Sequence, residues 1–73
     1  MNTGAVLEGM WKKLTPAQRR ELMMIHRVRR KYYADYYPPI KKLTEHGLVV
    51  RDKSMYQLTE IGDAVAVFGQ DKQ

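Results

Sequence analysis

LTEHGLVVRDKSMYQLTEIG, residues 43 to 62, holds a helix end, a hairpin and a helix start within one short stretch. Gly47 stands where a helix would end in a left-handed residue. Leu48–Arg51 and Tyr56–Leu58 read as two short strands, and the polar run Asp52–Met55 between them reads as their turn. Thr59 then has the side chain of an N-cap. Behind it Ile61, Ala64, Val65 and Phe68 fall at i, i+3, i+4 and i+7, the stripe of a helix packed on one face. Gly69 is expected to stop that helix, leaving Gln70–Gln73 as a frayed tail.

Upstream, Leu7, Met10, Trp11 and Leu14 form the same kind of stripe, in a first helix that Thr3 can cap. Thr15-Pro16-Ala17-Gln18 restarts the chain, with Thr15 as N-cap, Pro16 as first helical residue and Gln18 placed for a capping box. From Pro16 the helical pattern is expected to reach about Lys31. Ala17, Leu22, Met24, Ile25, Val28 and Tyr32 lie on its apolar side, and Glu21 lies toward that side as well. Arg19, Arg20, Arg27, Arg30 and Lys31 lie on the other, with Met23 and His26 among them. A turn must follow before Pro38-Pro39, with Asp35 as its pivot. Pro38 keeps Tyr37 out of helical geometry, so a new helix begins at Pro38 or Pro39. Ile40 and Leu43 give that helix a buried edge, while Lys41, Lys42 and Glu45 point outward.

The 73 residues make one small domain, expected to be mainly α with a small β-hairpin, an α+β fold. No cysteine is present, so disulfides and thiolate metal sites are excluded, as fits a reducing cytoplasm. No apolar run approaches a membrane span, and no signal-peptide core is visible; a cytoplasmic location without membrane contact is the expectation. The net charge is +5, and its placement is informative. Residues 19 to 53 carry ten Lys/Arg against four Asp/Glu, whereas residues 54 to 73 carry one against three. A basic middle of this kind suits a polyanion-facing surface.

Leu43-to-Val49 and Tyr56-to-Gly62 resemble the end of the recognition helix and the wing of winged helix-turn-helix DNA-binding proteins, especially bacterial regulators of the MarR and PadR kinds. The likeness covers roughly residues 15 to 66. It implies an N-terminal helix over 1–14, a helix-turn-helix over 15–47, a wing hairpin over 48–58 and a C-terminal helix over 59–69. One departure lies upstream: the family places a complete second helix before the recognition helix, and here only Lys31–Tyr37 is available for it, so either that helix is abbreviated or the Pro16 helix breaks near Arg29. Compact winged helices of this type recur among phage and mobile-element proteins. Tyr32 and one of Tyr36 or Tyr37 are expected to plug the shortened turn into the core.

The resemblance implies a double-stranded DNA-binding protein, a small transcriptional regulator of bacterial or phage origin. Its 38–46 helix would enter the major groove, with Lys41, Lys42 and Tyr37 near base edges or phosphates. Arg51 and Lys53 on the wing, and Arg29, Arg30 and Lys31 beside the turn, would grip phosphates. The alternative is a protein-interaction module on the same scaffold, acting on a host protein as a phage-type inhibitor or adaptor. Stacking of single-stranded nucleic acid needs aromatics on an open sheet or groove, which a helix junction does not provide. Catalysis is not expected, nor any cofactor or metal: His26 and His46 lack carboxylates or cysteines at ligand spacing. The Trp11 and Phe68 stripes either pack on each other in one chain or leave one face to join a homodimer.

Overall fold

The computed structural model describes residues 3–33 and 37–71. Asp35 and Tyr36, expected at the turn, lie outside them, as do the last two residues of the tail. The described residues form four helices and a small three-stranded antiparallel sheet: α1 (Thr3–Lys13), α2 (Pro16–Val28), β1 (Arg30–Tyr32), α3 (Pro38–Glu45), β2 (Val49–Asp52), β3 (Met55–Leu58) and α4 (Glu60–Gln70). The fold is therefore α+β. No described helix is long and apolar enough to cross a membrane.

The local start and stop signals act as their chemistry requires. Thr15 caps α2 with a reciprocal capping box, its hydroxyl accepting from the Gln18 N–H at 3.2 Å and its own N–H donating to Gln18 Oε1 at 3.1 Å. Gly47 adopts φ +76°, and Leu48 N–H returns to Leu43 O at 3.0 Å, turning α3 sharply into β2. Thr3 is the first residue of α1 rather than its cap.

Thr59 joins three elements. Its hydroxyl accepts from Gly62 N–H at 3.0 Å, capping α4, and donates to Gly47 O at 2.7 Å. Its own N–H bonds Leu48 O at 3.0 Å. These bonds press the first turn of α4 onto the Leu48 carbonyl so closely that a Cβ on Gly62 would overlap that carbonyl.

Between α2 and α3 the chain differs from the sequence expectation. Helix α2 ends at Val28, not Lys31, because Arg29 turns to φ +78° while its N–H still bonds Ile25 O at 2.7 Å. The next three residues extend and pair with β3, so the sheet order is β1-β3-β2 and no second helix forms among the described residues. This extension reassigns the tyrosines. Tyr32 is 61% exposed, and Tyr33 is the one that enters the core, at 9%. Val28, assigned to the apolar face, is 46% exposed at the frayed end of α2.

The core lies between the helices and one sheet face. Leu22, Ile25, Leu43, Leu48 and Val65 are its most deeply buried side chains. Val49 is 2% exposed and Val50 43%, so the face bearing Val49, Tyr56 and Leu58 is covered and the face bearing Val50 and Gln57 is open. Met23 packs against the core instead of lying on the basic face, and Ile61 is 39% exposed instead of joining its stripe. The α1 and α4 stripes do pack on each other. Gly69 is not a helix stop: it lies within α4, buried, because the Trp11 ring occupies the space its Cβ would need.

Two glycines therefore do different work, and mutation should separate them. Gly62→Ala drives a methyl into backbone and should destabilise by about 1–3 kcal/mol or more. Gly47→Ala meets open space and bears only its left-handed backbone, about 1–2 kcal/mol. Thermal melts should rank Gly62→Ala below Gly47→Ala; the reverse order would contradict the close approach of α4 to Leu48.

Candidate nucleic-acid interface

Helix α3 is short because two prolines open it and Gly47 closes it. Ile40, at 2% exposure, and Leu43, fully buried, hold one edge in the core, which leaves Lys41 and Lys42 exposed on the opposite side. Lys42 Nζ lies 3.4 Å from Glu45 Oε1, an exposed i, i+3 pair of little energetic weight.

Tyr37, expected to contact DNA, is committed elsewhere. It is the N-cap residue of α3 but makes no side-chain cap; its hydroxyl instead donates to Glu21 Oε1 at 3.0 Å. Its ring stacks on Tyr33, with centroids 5.3 Å apart and planes 14° from parallel. Tyr33 donates to the other Glu21 oxygen and meets Tyr56 edge-on at 5.8 Å. Burial pushes the Tyr33 hydroxyl well above the usual phenol range, and the bond to Glu21 and its negative charge add to this. The bond to Glu21 is the main cause of a rise at Tyr37, opposed by Arg20. Arg20 thus belongs beside the start of α3, where the sequence reading had not placed it.

Residues directly opposite across the sheet share a face. Lys31, Tyr56 and Arg51 form one row on the helix-covered side. Lys31 Nζ sits 5.1 Å over the Tyr33 ring, and the Arg51 guanidinium 5.8 Å over Tyr56, so both cations flank the tyrosine cluster that carries the start of α3. The wing turn is only Lys53-Ser54, with Lys53 at φ +61° and its carbonyl accepting from Arg51 Nε at 2.8 Å. Arg51, Asp52, Lys53 and Ser54 are all exposed at the hairpin tip.

The remaining two arginines separate from this group. Arg30 points to the open sheet face, where it pairs with Asp52 at 3.0 Å. Arg29 sits at the far end of the sheet, 3.9 Å from Asp63. Asp63 also meets His26 Nδ1 at 3.0 Å, so His26 is neither lone nor outward: its side chain is 15% exposed and ties α2 to α4. Of the cations singled out from sequence, Lys31, Lys41, Lys42, Arg51 and Lys53 lie around α3 and the β2–β3 hairpin; Arg30 also reaches the hairpin, through Asp52, but from the open sheet face, and Arg29 lies apart. Glu21 and Tyr33, which hold the site together, gave no sequence signal beyond the inward position of Glu21. Comparison with family models, characterised proteins and solved structures returned no match.

The raised Tyr33 hydroxyl makes stability depend on alkaline pH. A phenol held neutral in the folded chain but ionising near pH 10 when unfolded stabilises fully below about pH 10, and that contribution falls as pH rises further. The unfolding free energy of the parent should therefore drop more steeply between about pH 9 and 11 than that of Tyr33→Phe, by up to one proton's slope. Parallel curves in urea titrations would show that this phenol ionises as freely folded as unfolded.

Proposed function

We propose that this chain is a double-stranded DNA-binding protein of the winged-helix type, a small transcriptional regulator of bacterial or phage origin. Helix α3 lies in the major groove, and the β2–β3 wing grips phosphate. The observation that carries this reading is the pairing of a short helix, pinned by Ile40 and Leu43 and showing Lys41 and Lys42, with a hairpin whose exposed end bears Arg51 and Lys53. Lys31 and Arg20 add charge around the same surface. Because α3 presents no outward Arg, Asn or Gln, phosphate contacts supply most of the affinity and direct base readout is modest. Tyr37 is removed from the contact set, and Arg29 and Arg30 serve the sheet margin.

One observation favours the second reading, a protein-interaction module. The open sheet face shows Tyr32 at 61% and Val50 at 43% exposure beside Arg30, the residue types of a protein contact. A host protein is the partner on that reading. Self-association would use the half-exposed Val6 of α1 and Val67 of α4.

Charge reversal on α3 tests the DNA reading. Lys41→Glu with Lys42→Glu should keep the fold, since both side chains point away from the Ile40/Leu43 edge. Duplex binding should weaken strongly, and the dependence of log affinity on log salt should flatten by about two units, one per lost phosphate contact. Circular dichroism establishes the fold, and titration with duplex from the gene's own flank and with a scrambled duplex measures the contact. A folded variant that binds both duplexes as the parent does would remove α3 from the interface.

A further inference from the structure

We propose that Glu21 is the positioning residue of the α3 interface: its carboxylate, reached by Tyr33 and Tyr37 from the two ends of the β1–α3 connection, sets the angle at which α3 presents Lys41 and Lys42. The part of this that concerns DNA rests on the reading just given; the part that concerns α3 itself does not.

The first turn of α3 draws no orientation from a side-chain cap. Pro38 and Pro39 have no N–H to cap, and Tyr37 supplies no side-chain cap. The far end is fixed by backbone, through Leu48 N–H to Leu43 O and Gly47 N–H to Thr44 O, each at 3.0 Å. At the near end Ile40 enters the core, but apolar burial is non-directional and tolerates rotation of the helix about its anchor. A hydrogen bond to a carboxylate is directional, and Tyr37 Oη to Glu21 Oε1 at 3.0 Å supplies that direction.

The other Glu21 oxygen accepts from Tyr33, the residue that follows β1, and Tyr33 is fixed to the sheet by its edge contact with Tyr56. One side chain on α2 thereby references α3 to the sheet that carries the wing. The chemistry of Glu21 supports this role. In a chain with 13 Lys and Arg, no described cation forms an ion pair with it. Its oxygens accept from two phenols instead.

The test uses Tyr37→Phe, which removes one hydroxyl and keeps the ring stack, Glu21→Gln, and the exposed Tyr32→Phe as control. Amide hydrogen exchange by NMR on the DNA-free chain reads the helix directly. In Tyr37→Phe and Glu21→Gln the Lys41–Leu43 amides should exchange about tenfold faster or more, while those of Leu22–Ile25 change far less. Duplex affinity should fall about tenfold with the salt slope unchanged, because every cation remains. Tyr32→Phe should match the parent in both. A uniform rise in exchange across α2, α3 and α4 would reduce Glu21 to a general stabiliser and overturn the proposal, as would α3 amides exchanging at the parent rate. A parent chain that binds no duplex would refute the DNA reading alone, and the exchange comparison would still decide the role of Glu21.

Discussion

A single carboxylate on α2 receives the hydroxyls of both tyrosines that flank the passage from β1 to α3. Where a longer chain would interpose a further helix to support α3, this one places Tyr33 and Tyr37 on the two oxygens of Glu21. The arrangement uses few residues. Three aromatic rings, Tyr37, Tyr33 and Tyr56, run in contact from the first turn of α3 to the central strand, and the carboxylate locks two of their hydroxyls. The half-buried charge is satisfied by directed donors, so no cation has to be drawn inward to neutralise it.

The same economy appears where α3, β2 and α4 meet. Thr59 caps one helix, braces the turn that ends another and receives Leu48 into its backbone bonding. Gly62 allows α4 to lie directly on the Leu48 carbonyl. In a chain this small, each such residue replaces apolar area that a larger core would supply.

What was legible in the sequence follows from the range of the forces involved. The Thr15 box, the left-handed Gly47 and the Thr59 cap each have their cause within a few residues and stand where they were read; the hairpin forms too, but its turn is Lys53-Ser54 alone, because Asp52 and Met55, read as turn, pair across the strands. Strand β1 does not have a local cause. Arg30–Tyr32 shows no alternating apolar pattern, and its break from α2 depends on an arginine at positive φ that no propensity favours. Carrying the helical period through it selected Tyr32, and extension of the backbone turned Tyr33 inward instead; a one-residue change of phase exchanges the two faces. Gly69 looked like punctuation and is a space for Trp11. The His26–Asp63 and Tyr–Glu21 bonds join residues 12 to 37 positions apart, beyond the reach of any period.

The seat of Trp11 has a consequence in time. The largest aromatic side chain of the core belongs to the first helix, and the surface it needs, around Gly69, belongs to the last. The indole stays in water until α4 is in place, whatever the state of α2 and the hairpin. Closure of the core therefore couples the first helix to the last, and a fragment without Gly69 leaves Trp11 uncovered. An interrupted chain that stops inside α4 would present its indole to proteases instead of burying it.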